Sequence, residues 1–398
     1  MIYLDNAATT KMSPGVLEAV TNAMREDYGN PGTLYDIGKR ANDLISHARE
    51  QVADCIGARK DQIIFTSGGS ESNATVIFGV AGWMKDNEKD TVVVSAIEHE
   101  SVLKSAEAMC MKHGFHLHIL SVDGEGHINP AELQEVLHTK NVGLVSIMYV
   151  NNEIGSMQHD MRKISNLCHN NGALLHTDCV QALGSVHIDV AEMQCDFLSM
   201  SAHKIHGPKG VGGLYVSDLV RNLRAIDPIV YGGNNQEFGL RGGTENVPGI
   251  VGFGEACFEV DDSDVMFNRM VYNLLYPFVD SLKKAANKNG ISDKLIVNGV
   301  FETWKIVRVT IRDVDNEALA MLLNKRGICV GIGSACNSRS VESSHVLKAI
   351  GLSKDDAMST VRISFSKYNS AEEVETAANE IVSCSALLLG ISSVNTGS

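Results

Sequence analysis

The chain has 398 residues and a formal net charge of −14, with 34 basic against 48 acidic residues. This length predicts two domains in close contact rather than one small core. The acidic balance argues against a nucleic-acid partner, because phosphate binding needs a basic surface. No apolar run reaches the ~18 residues of a membrane span, and no secretory signal opens the sequence. The nine scattered cysteines form no CxxC pair, which favours a cytoplasmic protein without a disulfide framework.

Strands alternate with helices over the first 217 residues. A helix is expected from Pro14 to about Asp27, capped by Ser13, and a second one from Asp36 to Ile56. Candidate strands then cover 63–66, 91–96, 116–122, 144–150, 173–177, 197–200 and 213–216, with helical patterns such as 71–85 and 101–112 between them. This α/β alternation predicts a mainly parallel seven-stranded sheet with helices on both faces.

The pattern changes after residue 216. Residues 231–249 are rich in Gly and Asn and contain no clear element, and a long helical stretch follows at 264–289. Beyond it we expect strands at 295–297, 306–311 and 361–365 and helices at 317–325, 344–350 and 371–389. This part is interpreted as a smaller C-terminal α+β domain. The division expected is a large domain at 14–258 and a small domain formed by 1–13 and 259–398.

Lys204 follows a predicted buried strand and precedes a glycine-rich turn. Lysines are rarely buried without a reason, and a strand-end lysine in an α/β enzyme suits Schiff-base chemistry with an aldehyde cofactor. The alternative is a surface lysine at a strand exit. Lys209 competes for the same role, but its position inside the turn predicts that it is solvated.

Asp178 ends the predicted strand at 173–177, where α/β folds bind ligands. An anion at this position would keep a pyridine nitrogen protonated, and Gln181 would donate a hydrogen bond to a ring oxygen. The alternative role for Asp178 is a helix N-cap.

Two weaker signals also follow predicted strands. Gly68, Gly69 and Ser70 open a helix, where free N–H groups can bind an anion such as a phosphate. His99 follows another strand, where it could stack on an aromatic cofactor and move protons. The alternatives are an ordinary strand-to-helix turn and an ordinary loop histidine.

Cys336 lies in a segment of small residues between a strand and a helix, 333-GSACNS-338. A reactive cysteine needs access and thiolate character, and glycine-flanked loops give access. Most of the other cysteines fall within helical or strand patterns, where burial as small apolar side chains is the default. Cys336 is therefore the candidate nucleophile.

The chain resembles the cysteine desulfurases of the NifS/IscS type, in the class V aminotransferase family with the pyridoxal-phosphate (PLP) fold type I. The matching motifs run nearly end to end and include the Asp178 and Lys204 segments, 4-LDNAATT-10, 29-GNP-31, 66-TSG-68, 98-EH-99, 150-VNNEIG-155, 241-RGGTEN-246, 333-GSAC-336 and 362-RIS-364. The departure at Ser70, where relatives often have threonine, keeps the hydroxyl group.

The resemblance implies a role for each matching residue. Lys204 would hold the cofactor and move protons, His99 would stack on its ring, and Asp178 and Gln181 would pair with the ring nitrogen and oxygen. The phosphate would be held by Gly69, Ser70, Ser201, His203 and, from the second subunit of a homodimer, Thr244. Asn152 and Arg362 would bind the substrate carboxylate, and Asn152 would also contact the cofactor. Cys336 would take the sulfur of L-cysteine as a persulfide. No metal is implied.

The leading hypothesis is a PLP-dependent desulfurase that converts L-cysteine to L-alanine and supplies sulfur, through an acceptor protein such as a scaffold, to iron–sulfur clusters or other thio-cofactors. A selenocysteine lyase shares this chemistry. A class V aminotransferase would leave Cys336 without a role. A catalytically silent sulfur-transfer scaffold would not need the residues of the cofactor site.

Overall fold

The computed structural model describes residues 1–233, 236–260, 263–298, 302–332 and 344–395. Its strands are β1 Ile2–Leu4, β2 Ile63–Thr66, β3 Thr91–Ser95, β4 His116–Leu120, β5 Val142–Ser146, β6 Leu174–Asp178, β7 Phe197–Ser201, β8 Gly212–Val216, β9 Leu295–Asn298, β10 Ile306–Ile311, β11 Ile328–Ile332 and β12 Thr360–Ser364. Its helices are α1 Pro14–Glu26, α2 Asp36–Asp54, α3 Gly69–Gly79, α4 Ala81–Asp86, α5 Glu100–His113, α6 Pro130–Thr139, α7 Met161–Asn170, α8 Val190–Met193, α9 Asp218–Leu223, α10 Val247–Phe258, α11 Asp264–Met270, α12 Tyr276–Lys288, α13 Asn316–Lys325, α14 His345–Ala349, α15 Lys354–Met358 and α16 Ala371–Asn395.

The larger sheet has seven strands in the order β2-β8-β7-β6-β5-β3-β4. The pairs from β7 to β4 are parallel, whereas β8 runs antiparallel to both of its neighbours. Every residue of β3, β5, β6 and β7 is buried, as expected for strands covered on both faces. The predicted mainly parallel seven-stranded sheet is therefore confirmed, and the carboxyl ends of β3, β6 and β7 point to one edge.

The smaller sheet has five strands in the order β1-β11-β12-β10-β9. The N-terminal β1 pairs in parallel with β11, and the other pairs are antiparallel. A second apolar core packs α12 and α16 on this sheet, with Phe278 and Phe365 in edge-to-face contact. The C-terminal α+β part is thus present, while the domain boundaries themselves stay a prediction.

Several predicted bounds are wrong. The strand expected at 144–150 is Val142–Ser146, and the single helix expected at 71–85 is divided into α3 and α4. Residues 231–249 were expected to contain no element, yet α10 begins at Val247 with Asn246 as its cap. Three glycines within α10 lower its intrinsic helix propensity. Tertiary packing compensates, because Phe253 and most of the other residues of α10 are buried.

The helix start at Ser13 is confirmed, since the Ser13 side chain accepts a hydrogen bond from the Val16 N–H and Pro14 opens the helix. Within the described ranges, a helix with the length and apolar character needed to cross a membrane is not found.

Candidate active site

A cavity of about 400 Å³ opens at the carboxyl ends of β3, β6 and β7. Its walls include ten of the residues that the sequence singles out: Gly69, Ser70, His99, Asn152, Asp178, Gln181, Ser201, His203, Lys204 and Arg362. Thr244 is exposed and does not line it, and Cys336 lies outside the described residues. The sheet edge, together with the small-sheet strand β12, therefore brings most of the predicted set into one space.

Lys204 ends a short 3₁₀ turn, Ala202–Lys204, that follows β7 directly. Its Nζ donates hydrogen bonds to the main-chain oxygens of Ala7 at 2.5 Å and Ala8 at 3.0 Å. Burial, followed by the positive charge of Arg362, lowers the pKa of Lys204 to about 8. Lys209 is exposed, as predicted. A half-buried amine with a depressed pKa is suited to attack an aldehyde.

Asp178 is the last residue of β6 and its side chain is buried. Its Oδ2 accepts a hydrogen bond from Asn73 Nδ2 at 2.8 Å, and its Oδ1 accepts one from the Val180 N–H at 2.9 Å. The hydrogen bond from the Val180 N–H is of the kind that a helix N-cap accepts, which was the alternative role for Asp178. The carboxylate also lines the cavity. Each oxygen keeps a second lone pair, so Asp178 can accept a further hydrogen bond from a protonated ring nitrogen.

Gln181 leaves one buried polar atom available. Its Nε2 donates to the Ala7 oxygen at 2.8 Å, while its Oε1 has no hydrogen-bond partner among the described residues. A buried polar atom without a partner is costly, so this one fits a bound group. In this amide orientation the atom left available on Gln181 is an acceptor, whereas the sequence-based prediction needs Gln181 to donate to a ring oxygen.

His99 caps the N-terminus of α5 and lines the cavity. Its Nδ1 accepts a hydrogen bond from the Ser101 N–H at 3.1 Å and lies 2.8 Å from Ser101 Oγ. Because Nδ1 is the acceptor, the neutral imidazole carries its proton on Nε2. The ring is thereby fixed at the mouth of the cavity with Nε2 as a donor, which suits a residue that stacks on a cofactor and passes protons.

An anion cradle lies beside this cavity, in a second and more open space bounded by Gly68, Gly69, Ser70, Ser201 and His203. The first N–H groups of α3 face outward from its N-terminus, where an anion is stabilised. A Cβ on Gly69 would lie 2.6 Å from Val180 Cγ2, so only glycine allows this close approach. Burial, followed by nearby lysine charges, lowers the pKa of His203 to about 4, so its imidazole is neutral.

Arg362 reaches the cavity from β12 in the small sheet. Its Nη2 donates to Asp5 Oδ1 and its Nη1 to the Asn152 main-chain oxygen, both at 2.8 Å. Its Nε is buried without a partner among the described residues. A Cβ on Gly331 would lie 3.0 Å from that Nε, so the glycine makes room for the guanidinium. Arg362 is therefore held in place with donor capacity to spare for a carboxylate.

Four groups that support the site were not predicted as site residues. The Ala7 carbonyl holds both Lys204 and Gln181, and Asn73 holds Asp178. Lys305 is buried and its Nζ donates to the Lys204 oxygen at 2.9 Å. His345 lines the cavity and its Nε2 donates to the Glu98 oxygen at 2.9 Å. The motif at residues 4–10 was a sequence signal for the Ala7 segment. Lys305 and His345 lie in no sequence pattern that would indicate a role in the site.

The eight cysteines in the described part of the chain are free thiols, and six of them are buried. Cys329, which lies in β11, is partly buried. Burial raises the pKa of Cys110 to about 11 and raises the pKa of Cys168, Cys179, Cys195 and Cys257 further. These thiols are poor nucleophiles at neutral pH. Cys336 therefore stays the candidate nucleophile on sequence grounds.

Comparison with known proteins identifies the family. The family model described as aminotransferase class-V matches residues 2–376. The chain is 39% identical over 380 residues to cysteine desulfurase IscS of Methanosarcina thermophila, covering 94% of this chain and 89% of that protein. A solved NifS-like protein superimposes with a TM-score of 0.86 at 32% identity, covering 97% of this chain and 100% of that one. A structure of SspA in complex with cysteine superimposes with a TM-score of 0.77 at 33% identity, covering 93% of this chain and 100% of that one. The chain belongs to the class-V aminotransferase family, among the cysteine desulfurases of the NifS/IscS type.

Proposed function

We propose that this protein is a PLP-dependent cysteine desulfurase that converts L-cysteine to L-alanine and transfers the sulfur to Cys336 as a persulfide. The observation that carries the proposal is that Lys204, Asp178 and Arg362 line one cavity. An amine, a buried carboxylate and an orienting guanidinium are what a PLP enzyme that acts on an amino acid requires. The relative named cysteine desulfurase IscS and the structure of SspA in complex with cysteine support L-cysteine as the substrate.

The residues of the cavity fit PLP. Lys204 would bond to the aldehyde carbon of PLP, and Asp178 would accept a hydrogen bond from its ring nitrogen. The free Gln181 Oε1 would accept one from the ring hydroxyl, and His99 would stack on the ring. When bound, PLP supplies an electron sink that weakens the bonds at the amino-acid Cα and, through it, at Cβ. Lys204 then accepts and returns the proton at Cα, and the fixed His99 Nε2–H serves proton transfer at the cavity mouth.

Two further groups of residues orient the ligands. Gly69, Ser70, Ser201 and His203 would hold the cofactor phosphate, supported by the first N–H groups of α3 and by the neutral His203 ring. Arg362 and the Asn152 side chain would bind the substrate carboxylate. Because Arg362 is already fixed by Asp5, the substrate enters a site whose cation is ordered beforehand.

Sulfur transfer is assigned to Cys336. Its thiolate would attack the substrate Sγ while the Cβ–Sγ bond breaks, and Cβ would gain a proton to give alanine. The persulfide on Cys336 would then pass its outer sulfur to a thiol of an acceptor protein for iron–sulfur or other thio-cofactor assembly. We place this chemistry in the cytoplasm, a proposal supported by the free thiols of the described chain.

The proposed function is tested by turnover of the purified, PLP-loaded protein with L-cysteine and a reducing thiol, measuring alanine and sulfide together. Equal amounts of both products are expected. A matched reaction with L-selenocysteine separates a desulfurase from a selenocysteine lyase. Failure to consume L-cysteine despite a yellow cofactor band would overturn the proposal, and absence of cofactor binding would support a silent scaffold instead.

Replacing Arg362 with alanine is expected to lower kcat/KM for L-cysteine at least thirtyfold, mainly through KM. Removal of one partner of a desolvated carboxylate pair costs about 2–5 kcal/mol. Arg362→Lys should lower kcat/KM less, because lysine keeps the positive charge but lacks the paired N–H donors of the guanidinium. Arg312→Ala is the matched control, because Arg312 forms an exposed pair with Asp356. Steady-state kinetics check the prediction, and equal kinetics for wild type and Arg362→Ala would remove Arg362 from the site.

The rate of PLP uptake by cofactor-free protein is expected to rise with pH and to level off above about pH 8. The unprotonated amine is the form that attacks an aldehyde, and Lys204 has a pKa of about 8. At pH 7 roughly a tenth of the Lys204 amines are then unprotonated. Arg362→Ala should move the midpoint to higher pH, because the Arg362 charge helps to lower this pKa. Stopped-flow absorbance checks both points, and a pH-independent rate would contradict them.

A homodimer is expected in which Thr244 of one subunit completes the phosphate site of the other. Thr244 is exposed and lies away from the cavity walls of its own chain. Tyr28 and Tyr231 are also exposed, and tyrosine is enriched at protein–protein interfaces. Sedimentation equilibrium should give twice the chain mass, and Thr244→Ala should weaken PLP retention without dissociating the dimer. A PLP-saturated, active monomer would contradict this arrangement.

A further inference from the structure

Two histidines and a glutamate from three distant segments meet outside the active site. His127 lies between β4 and α6, His159 between β5 and α7, and Glu302 just before β10. The Nε2 atoms of His127 and His159 lie 3.1 Å and 2.5 Å from oxygens of the Glu302 carboxylate. The three ligand atoms lie within 4.8 Å of one another. We propose that His127, His159 and Glu302 bind one divalent transition-metal ion of the Zn²⁺ class.

The chemistry of these donors favours that class of ion. Imidazole nitrogens suit Zn²⁺ and its neighbours, whereas Mg²⁺ and Ca²⁺ prefer oxygen ligands throughout. Two histidines and one carboxylate leave a fourth, tetrahedral position for water. Tetrahedral zinc ligands stand about 3.3 Å apart, so the 3.1 Å contact of His127 with Glu302 is close to that spacing, while the 2.5 Å contact of His159 has to open. The His159 side chain is 56% exposed, so it has room to make this adjustment.

The cluster is held in place by its surroundings. The buried Gln158 donates through Nε2 to the Gly126 oxygen at 2.6 Å and accepts through Oε1 from the Ile128 N–H at 3.1 Å, so it fixes the backbone on both sides of His127. The Met157 N–H donates to Glu302 Oε2 at 2.7 Å. The loops that carry the three ligands are therefore connected to one another even without an ion.

The surroundings of the other ring nitrogen of His127, Nδ1, also favour metal binding at Nε2. Its Nδ1 lies 3.6 Å from an Asp123 oxygen and 3.8 Å from a Glu125 oxygen. When Nε2 binds a metal, Nδ1 carries the proton and points towards these carboxylates, and metal-bound histidines commonly direct their other ring N–H to a carboxylate in this way.

The proposal is tested with tag-free, PLP-loaded protein that carries Cys336→Ser, so that a reactive thiolate does not bind the probe. Equilibrium dialysis against Zn²⁺ measures stoichiometry and affinity, and visible Co²⁺ absorption reports the ligand geometry. One ion per chain is expected, with a tetrahedral Co²⁺ spectrum. His159→Ala, at an exposed position, and Glu302→Gln should each weaken binding at least tenfold. His138→Ala, which changes an exposed histidine outside the cluster, should leave binding unchanged.

Thermal unfolding gives a second measurement, because an ion that binds the folded state raises its melting temperature. Zn²⁺ should raise the melting temperature of the parent and of His138→Ala, but not that of His159→Ala. Absence of a bound ion in the parent, or equal affinity in the parent and His159→Ala, would overturn the proposal. Either result would leave the cluster as a carboxylate hydrogen-bonded to two imidazoles.

Discussion

Cys336→Ser protein is expected to bind PLP and to change its absorption spectrum on addition of L-cysteine, yet to release alanine and sulfide at least a thousandfold more slowly. Binding of the amino acid depends on Lys204, Asp178 and Arg362, none of which changes. Sulfur abstraction needs a thiolate, and serine is not ionised at neutral pH. Loss of a nucleophile removes most of the acceleration of the step that it performs.

The matched control for this variant is Cys329→Ser, which changes a partly buried thiol in β11. It should keep wild-type turnover. A persulfide assay by mass spectrometry after addition of L-cysteine should label wild type and Cys329→Ser, but not Cys336→Ser. Near-normal sulfide release by Cys336→Ser would show another nucleophile or a lyase route. Loss of the spectral change would show that Cys336 supports the cofactor pocket rather than sulfur transfer.

Lys204→Ala protein is expected to lose the borohydride-reducible bond to PLP and to fall by about 10²–10⁴-fold or more in turnover. The same amine holds the cofactor and moves the proton at Cα, and proton transfer alone contributes about 10²–10⁴-fold. PLP should still be retained weakly, because the anion cradle and Asp178 are unchanged. Mass spectrometry of borohydride-treated protein measures the covalent bond directly.

Two lysines serve as controls for Lys204. Lys209→Ala changes the exposed lysine of the following turn, and Lys305→Met changes a buried one whose pKa is lowered to about 7 by burial and by the Lys204 charge. Both variants should keep the reducible bond, since only the Lys204 amine among these three reaches the main cavity. A reducible bond that persists in Lys204→Ala and disappears in Lys305→Met would reassign the cofactor lysine.

The sequence predicted the larger sheet well, because buried parallel strands are short apolar runs between turns. Asp178 and Lys204 could be placed at its edge for the same reason: each comes at or just after a strand end. Helix α10 was not predicted, since its glycines weaken the local signal and its packing partners come from α1 and α2. Sequence patterns therefore predict elements that depend on neighbouring residues, and they miss elements such as α10 that depend on packing against distant ones.

Contacts between distant segments could not be predicted in this way. The carbonyl oxygens of Ala7 and Ala8 contact Lys204, which is nearly two hundred residues away. Lys305 has the pattern of an ordinary residue before a strand, and its burial against Lys204 depends on how the two sheets meet. Glu302 lies far from His127 and His159 in the chain, so the three proposed metal ligands form no sequence motif.

The pairing of the first strand has a consequence for the order of events during protein synthesis. Ile2 pairs with Ile328, and the Asn6 side chain donates to the Ser364 oxygen. A ribosome that adds about 5–20 residues per second needs roughly 15–65 s to pass from the first of these strands to its neighbour. During that time the segment that carries Asp5 and Ala7 has no sheet to join. The parallel sheet can fold while the chain grows, but Arg362 joins the cavity only after β12 has left the ribosome, so the cavity is completed late in synthesis.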